Sequence, residues 1–375
     1  TFKGLPGDCA PGDRLLIDDG NVAVRVLEVT DTDVVTRVEV PGIVSDHKGL
    51  NLPGVAVSVP ALSEKDKEDL RWGIEQDADF IALSFVRSAD DIKDVHAIMD
   101  EMGKRIPVIA KIEKPQAVEA LEEIIEAFDG IMVARGDLGV EMPLEAVPLV
   151  QKRAIELARI AAKPVIVATQ VMDSMIKNPR PTRAEASDCA NAILDGADAV
   201  MLSGETSVGA FPIETVRTMA AIIESTEENG GERIASIPGF FADRAGVICE
   251  AAARIAEHMD ARYLVTFTQS GTSARMLSRM RRPIPMLAFT PLESTRRRLA
   301  LSWGIQTYRV PEVQHTDDMV WQLDLVAQSS RLAEIGDQLV IVAGMPPGIP
   351  GSSNMLRIHE VGDEADYMIG GAREA

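Results

Sequence analysis

Positive charge, cysteines and long apolar runs are all scarce in this sequence of 375 residues. No stretch comes near the ~18 consecutive apolar residues of a membrane-spanning helix, so no membrane span is predicted. The three cysteines lie far apart and are odd in number, which argues against a disulfide framework and indicates a reducing, cytoplasmic location. A formal net charge of −20 argues against nucleic acid or an anionic membrane as a partner. An anionic substrate would therefore depend on local cations and backbone amides.

The sequence does contain five short apolar runs, each followed by a segment with helical periodicity. The runs begin near residues 80, 107, 131, 164 and 199, at spacings of 24 to 35 residues. This spacing is typical of βα units, and runs that are apolar on both faces indicate parallel strands covered by helices. Polar residues follow the carboxyl ends of these runs, which predicts an α/β protein of the (β/α)8 TIM-type barrel class. The alternative, a doubly wound open sheet, would more commonly carry a Gly-rich phosphate turn, and none of that type is present.

Charged residues lie at the ends of two neighbouring runs. Lys111 and Glu113 end the second run, and Asp137 follows the third. Residues two apart on a strand point to the same side, so Lys111 and Glu113 are expected to lie together. Two carboxylates suit a divalent cation, and a lysine beside them would neutralise a phosphoryl group. A simple salt bridge at a strand end explains Lys111 and Glu113 about equally well when they are considered alone.

Four longer motifs, in matching order and spacing, resemble the pyruvate kinase family. They occupy residues 110–116, 132–141, 168–170 with 179–185, and 195–198 with 201–206. The resemblance extends over essentially the whole chain, from residue 16 to the carboxyl terminus. It implies a phosphotransferase that moves the phosphoryl group of phosphoenolpyruvate to ADP, giving pyruvate and ATP in glycolysis.

The resemblance also implies roles for the residues at the strand ends. Glu113 and Asp137 match the family's ligands for Mg²⁺ (or Mn²⁺), and Lys111 matches the lysine that stabilises the moving phosphoryl group. Free amides at Gly136 and Asp137 are expected to bind a carboxylate or phosphate of the substrate. Thr169 is expected across the mouth of the barrel, where it would contact the substrate carboxylate.

Proton delivery to enolpyruvate is expected to use a chain of hydroxyl groups and water that includes Thr169, Ser203 and Glu205. The other interpretation of Ser203 is that it only completes a strand end. Residues 1–59 match part of the family's β-rich lid domain. In that domain, Lys48 matches a lysine that reaches the nucleotide phosphates when the lid closes. His47 departs from the lysine of some relatives, which changes the local charge without removing activity.

The resemblance divides the chain into three domains. The predicted boundaries are 1–59 for the second half of the lid, 60–231 for barrel strands four to eight, and 232–375 for an α/β regulatory domain. Five parallel strands alone would leave two open edges, so an amino-terminal portion with three further strands is expected. The family's K⁺ ligands belong to that portion. K⁺ is therefore expected, and none of its ligands is assigned in this chain.

The third domain is predicted to alternate helices and strands. Helices are expected at 245–259, 272–280 and 293–303, and strands at 263–267, 284–289 and 338–343. Hydroxyls and a glycine after the first strand form a candidate anion cradle. Its similarity to the family's effector site implies a phosphorylated sugar or nucleotide effector, a flexible loop at 348–354 and a homotetramer with one interface on these helices. The expected effector-binding residues are Thr268, Gln269, Ser270, Gly271, Thr272, Ser273, Gly351 and Ser352.

Two other functions stay open. Another barrel enzyme that handles phosphoenolpyruvate or pyruvate with Mg²⁺, such as an aldol-type lyase, would also carry Glu and Asp at strand ends. Such an enzyme would need neither ADP nor the lid lysine. The second alternative is a truncated, non-catalytic subunit that only binds an effector or another chain.

Overall fold

A computed structural model describes residues 4–18, 20–46, 48–54, 62–237, 243–313, 315–349 and 351–363. The chain divides into two compact units, which are treated separately below. The first unit comprises Thr1–Leu157, Val165–Glu185 and Val200–Arg217, and the second comprises Ala158–Pro164, Ala186–Ala199 and Thr218–Ala375. This division into units does not test the predicted domain boundaries, which stay predictions.

The amino-terminal part of the first unit is a small antiparallel sheet. Its elements are helix α1 (Leu5–Asp8) and strands β1 (Arg14–Ile17), β2 (Val22–Val29), β3 (Val34–Val40) and β4 (Leu50–Asn51), in the sheet order β3-β2-β1-β4. Val22, Val24 and Val26 are buried in its small core together with Leu15 and Leu52. One face of β2 therefore carries its valine side chains into that core, as the alternation of side chains along a strand allows.

The rest of the first unit contains the five predicted strands. They form one sheet in the order β5-β6-β7-β8-β9, and β5/β6, β6/β7 and β7/β8 pair in parallel. Every residue of β7 and β8 is buried, as expected of strands covered on both faces. Helices α7, α8 and α10 extend into the second unit. From Glu64 to Gly230 the elements are α2 (Glu64–Glu75), β5 (Ile81–Leu83), α3 (Ile92–Glu101), β6 (Val108–Ile112), α4 (Pro115–Glu119), α5 (Leu121–Ala127), β7 (Gly130–Ala134), α6 (Arg135–Glu141), α7 (Val147–Ile160), β8 (Val165–Ala168), α8 (Arg183–Asp195), β9 (Ala199–Val200), α9 (Gly204–Ser207) and α10 (Pro212–Gly230).

Helix α2 begins with a capping box at Ser63. The Ser63 hydroxyl accepts a hydrogen bond from the amide of Asp66, and the Asp66 carboxylate accepts one from the amide of Ser63 at 2.8 Å. This reciprocal capping box satisfies two backbone donors that a helix start would otherwise leave without partners. Short 3₁₀ helices lie at Ala89–Asp91, Leu144–Ala146, Asp173–Ile176 and Gly231–Arg233.

The second unit holds a five-stranded sheet in the order β12-β11-β10-β13-β14, parallel except for the edge strand β14. Stacked rings of Phe267, Phe289 and Tyr308 lie on one of its faces, with centroids 5.0 and 5.7 Å apart. Among the described residues, no helix has the length and apolar character needed to cross a bilayer. The elements of the second unit after residue 243 are α11 (Arg244–His258), β10 (Tyr263–Phe267), α12 (Thr272–Ser278), β11 (Met286–Thr290), α13 (Glu293–Leu299), β12 (Ile305–Arg309), α14 (Thr316–Ser329), β13 (Gln338–Gly344) and β14 (Ser353–Glu360).

Three of these elements were not predicted from the sequence, namely β12, α14 and β14. The strands β12 and β14 are edge strands with mixed burial, so their apolar pattern is weak. The predicted loop at 348–354 is partly wrong, because Ser353 and Asn354 already belong to β14. The predicted helix at 293–303 is also too long, since α13 ends at Leu299.

Candidate active site

Lys111 and Glu113 lie together at the carboxyl end of β6. Lys111 Nζ is 2.5 Å from Glu113 Oε1 and donates to Ser84 Oγ at 3.0 Å. The Glu113 side chain is only 1% exposed, whereas that of Lys111 is 25% exposed. The predicted placement on one side of the strand is confirmed. Because a buried carboxylate is costly unless it is paired, the contact with Lys111 compensates the burial of Glu113, while the Lys111 side chain keeps access to solvent.

Phe85 provides a second contact to Glu113 that sequence reasoning missed. Its amide donates to Glu113 Oε2 at 2.7 Å, and its φ of 54° lies in the left-handed region. A bulky residue adopts this conformation only when its surroundings impose it, and such residues concentrate at functional sites. The Phe85 ring is half exposed, with Lys114 Nζ 5.6 Å from its centroid. The turn after β5 therefore helps fix the orientation of the Glu113 carboxylate.

Asp137 follows the neighbouring strand β7, in the first turn of α6, and is half-buried. Strands β6 and β7 pair in parallel, so Glu113 and Asp137 extend from the same edge of the sheet. Within the described ranges, no group of three or more His, Cys, Asp and Glu side chains could hold a metal. A two-carboxylate set still fits Mg²⁺, which keeps several waters and takes substrate oxygens as ligands. Each carboxylate oxygen of Glu113 also has a second lone pair beside its present hydrogen bond.

Gly136 and Thr169 are in direct contact. The Gly136 amide donates to Thr169 Oγ1 at 2.7 Å, and that hydroxyl donates to the carbonyl of Ala168 at 2.7 Å. Two expectations are corrected here. The amide of Gly136 is engaged within the chain rather than free, and Thr169 follows the adjacent strand β8 instead of lying across a barrel mouth. A Cβ at Gly136 would lie 3.3 Å from Thr169 Oγ1, so this close contact favours glycine.

Lys114, Glu141 and Asn51 form a network that was also missed. Glu141 Oε1 accepts from Lys114 Nζ at 2.6 Å and from Asn51 Nδ2 at 3.3 Å. The Glu141 side chain is 3% exposed and that of Lys114 is 19% exposed. Lys114 directly follows Glu113, and Glu141 lies one helical turn after Asp137. The pair therefore joins the two segments that carry the candidate metal ligands, and Asn51 links them to β4.

Replacing Glu141 with glutamine is expected to weaken Mg²⁺ binding and stability together. The change keeps the shape of the side chain but leaves Lys114 without its buried carboxylate. We expect a loss of about 2–3 kcal/mol in the free energy of unfolding, measured in urea. We expect about a tenfold higher Mg²⁺ concentration for half-maximal activity, since groups that orient metal ligands have effects of that size. Glu122→Gln, which breaks only an exposed pair with Arg153, is the matched control. Equal Mg²⁺ dependence of the two variants would contradict this role.

Ser203 and Glu205 lie beyond β9 at the start of α9. Glu205 is 3% exposed, and its oxygens accept from the amides of Met172 at 3.1 Å and Ser203 at 2.8 Å. Ser203 is exposed. Each oxygen of Glu205 thus accepts one hydrogen bond from a backbone amide. These two bonds hold the turns after β8 and β9 together.

Lys48 lies in the loop that precedes β4 of the small antiparallel sheet. Its Nζ is 2.7 Å from Asp18 Oδ1, and both side chains are partly exposed. The hydrogen bond from Lys48 lowers the pKa of the Asp18 carboxyl below its ordinary value. An exposed pair of this kind is weak, so Lys48 is available to exchange Asp18 for another anion. The neighbouring His47 lies outside the described residues.

The expected effector residues line a pocket of the second unit, between β10 and the segment before β14. Its wall includes six of them: Thr268, Gln269, Ser270, Ser273, Gly351 and Ser352. Gly271 and Thr272 shape the turn, because the Gly271 amide donates to Thr268 Oγ1 at 3.0 Å and Thr272 Oγ1 lies 2.9 Å from Ser270 Oγ. The wall also includes Glu312, which accepts from Gln269 Nε2 at 3.1 Å and was not predicted.

The first unit therefore has the features of an enzyme of the parallel α/β barrel class, with its polar groups at the carboxyl ends of the strands. Residues 1–216 match the family described as "Pyruvate kinase, barrel domain", and residues 246–359 match "Pyruvate kinase, alpha/beta domain". The chain belongs to the pyruvate kinase family, whose members are phosphotransferases.

Individual relatives agree with this assignment. A pyruvate kinase of Corynebacterium efficiens is 56% identical over 97% of this chain and 76% of the relative. One from Mycobacterium tuberculosis is 55% identical over 97% of this chain and 77% of the relative. One from Clostridium perfringens is 43% identical over 96% of this chain and 77% of the relative. The chain thus spans about three quarters of the length of these relatives.

Proposed function

We propose that this chain transfers the phosphoryl group of phosphoenolpyruvate to ADP, giving pyruvate and ATP, as the name of its relatives implies. The main support is the contact between Lys111 and the buried Glu113 at the end of β6, next to the strand that carries Asp137. A divalent metal and K⁺ are expected cofactors of the family.

The proposed mechanism relies on charge and alignment, because phosphoryl transfer needs little covalent chemistry from the protein. Glu113 and Asp137 would hold Mg²⁺, which would neutralise charge on the transferring phosphoryl group. Lys111 would move its ammonium from Glu113 toward the phosphoryl oxygens as negative charge develops there. Phe85 would keep Glu113 in place through its backbone amide while Lys111 moves.

Thr169 and Gly136 would bind the substrate carboxylate by exchanging their mutual hydrogen bond for contacts with the ligand. The Thr169 hydroxyl would then also be placed to deliver a proton to enolpyruvate. Ser203 would belong to the same hydroxyl chain, and Glu205 would act by positioning it. In the lid, Lys48 would leave Asp18 and contact the nucleotide phosphates on closure.

The direct test is pyruvate formation from phosphoenolpyruvate with Mg²⁺ and K⁺, with and without ADP, on the purified protein. Turnover that requires ADP and produces ATP in equal amount supports the proposal. Pyruvate released from a different substrate without ADP would favour the lyase alternative. Absence of turnover in the folded protein would favour a non-catalytic subunit.

We also propose that the pocket after β10 binds a phosphorylated effector. Hydroxyl groups of Ser270 and Ser352 in the wall support an anion cradle, and Gly271, with a φ of 81°, forms the turn that leads from this wall into α12. The exposed Trp321 and Leu325 on α14 support a homotetramer interface on the same unit, since large exposed apolar side chains mark association surfaces.

Ser270→Ala is expected to raise the effector concentration for half-maximal activation about threefold to tenfold, with little change in the unactivated rate. The loss of one hydroxyl contact to a phosphate accounts for this size. Ser270 is a better residue to replace than Thr268, because Thr268 Oγ1 also stabilises the turn by accepting a hydrogen bond from the Gly271 amide. Activation would be measured with a panel of sugar phosphates and nucleoside monophosphates. Ser329→Ala, on the exposed end of α14, is the control, and an unchanged response in Ser270→Ala would place regulation elsewhere.

A further inference from the structure

The turn that follows β8 contains two consecutive residues in the left-handed region of backbone conformation. Thr169 has a φ of 70° and Gln170 has a φ of 54°. Among the described residues, no other two consecutive non-glycine residues share this conformation. A β-branched threonine adopts it at a cost of about 1–3 kcal/mol, and such outliers concentrate at functional sites. The contacts around Thr169 must therefore stabilise this conformation.

Arg135 makes a contact with the backbone of this turn. It is the first residue of α6 and directly precedes Gly136 and Asp137. Its Nη2 donates to the carbonyl of Thr169 at 3.0 Å, and its Nη1 donates to Gln151 Oε1 on α7 at 3.4 Å. A hydrogen bond from a charged donor is stronger than one between neutral groups. The guanidinium therefore joins the start of α6 to the carbonyl of the strained residue.

Two further sets of contacts hold the same turn. The Thr169 hydroxyl donates to the carbonyl of Ala168 and accepts from the amide of Gly136, both at 2.7 Å. Further along the chain, the amide of Met172 donates to Glu205 Oε1 at 3.1 Å. The turn is thus held at the threonine hydroxyl, at the threonine carbonyl and at its far end. Of these three contacts, the one from the arginine acts on the backbone of Thr169 itself.

Under the proposed function, substrate binding removes one of these contacts. Gly136 and Thr169 would exchange their mutual hydrogen bond for contacts with the substrate carboxylate, so the hydroxyl would lose its fixed amide donor. The direction of the hydroxyl then depends on the backbone conformation of Thr169. Arg135 holds that conformation through the carbonyl, which takes no part in the exchange.

We propose that Arg135 is a positioning residue, which keeps Thr169 in its left-handed conformation and thereby aims the Thr169 hydroxyl at enolpyruvate. The inference rests on the proposed function and extends it, because that function gives Arg135 no role. In the protonation step, the carbon–carbon double bond of the enolate supplies the electron pair that binds a proton at C-3. The enolate oxygen then becomes the keto oxygen of pyruvate. A displacement of the hydroxyl by about 1 Å would lower the rate of this step about 10²-fold.

The test measures protonation separately from phosphoryl transfer. Pyruvate in D₂O with Mg²⁺, K⁺ and ATP should lose C-3 hydrogens through the same proton chain and take up deuterium, which proton NMR follows. Arg135→Met is expected to lower this exchange about 10²-fold, because the hydroxyl is no longer aimed. Its affinity for Mn²⁺, followed by electron paramagnetic resonance, should stay close to that of the wild type. A general disruption of the site would lower both.

Arg135→Lys separates position from charge. Lysine keeps the positive charge but lacks the planar fork that reaches both Thr169 and Gln151, so the exchange should fall about tenfold. In Arg135→Ala, free guanidinium at a non-denaturing concentration should restore part of the exchange, and methylammonium should restore less. Arg153→Met is the matched control, because Arg153 on α7 forms an exposed pair with Glu122. This control should exchange like the wild type.

The outcomes distinguish this inference from the proposed function. Normal exchange in folded Arg135→Met or Arg135→Lys would overturn the positioning role, and so would a parallel loss of Mn²⁺ affinity. A wild type with neither turnover nor exchange would reject the proposed function. Amide hydrogen exchange then decides the positioning role by itself. The amides of residues 170–172 should lose protection in Arg135→Met, and unchanged protection would overturn the role.

Discussion

Lys111→Met is expected to lower kcat for pyruvate formation by about 10³-fold or more, with the KM for phosphoenolpyruvate changed only a few-fold. Methionine fills a similar volume but removes the cation that contacts Glu113 and could reach a phosphoryl group. The charge on that group develops during transfer, so the loss falls mainly on the transition state. Steady-state kinetics at saturating Mg²⁺ and ADP would measure both constants.

Folding needs a separate check in this variant, because Glu113 would be left buried without its ammonium partner. Breaking such a pair costs about 3–5 kcal/mol at full burial, so urea unfolding should accompany the kinetics. Lys93→Met is a matched control, since Lys93 on α3 forms an exposed pair with Asp90 of the preceding 3₁₀ segment. A folded Lys111→Met protein with near-normal kcat would refute the assignment of Lys111.

Asp137→Ala is expected to lower activity about 10²-fold or more and to shift the Mg²⁺ titration to higher concentration. With only two carboxylates proposed to hold the metal, the loss of one removes half of the protein ligands. Binding of Mn²⁺, followed by electron paramagnetic resonance without substrate, should weaken in parallel. That readout separates metal binding from catalysis.

Asp90→Ala provides the control for the Asp137 experiment, because Asp90 is 75% exposed and pairs only with Lys93 in the described contacts. Its Mn²⁺ affinity and activity should match those of the unchanged protein. If Asp137→Ala retained normal Mn²⁺ affinity while losing activity, Asp137 would act on the substrate instead of the metal. The proposed ligand pair would then be wrong.

The sequence predicted those parts of the fold that depend on local patterns. The five strands of the barrel sheet are predicted because each lies in a short apolar run that is followed by a helical segment. The pairing of Lys111 with Glu113 followed from the alternation of side chains along one strand. The capping box at Ser63 was likewise visible in a few consecutive residues.

The errors concern contacts between segments that are distant in the sequence. The hydrogen bond from Gly136 to Thr169 joins two strand ends 33 residues apart, so no local pattern indicates it. The Lys114–Glu141 pair spans 27 residues, and each of its members resembles an ordinary exposed charge in the sequence. The edge strand β14 lacks the continuous apolar pattern of a central strand, so the sequence does not predict it, and its first two residues fall within the predicted loop at 348–354.

The sequence by itself determined the family, the strand order along the chain and the residue types available for chemistry, because these depend on composition and spacing. Only the tertiary structure decided which charged groups are buried, which amides are already occupied and which arginine holds the turn after β8. Burial changes the free energy of a charge by several kcal/mol. The same lysine or arginine is therefore unremarkable on a surface and decisive beside Glu113, Glu141 or the carbonyl of Thr169.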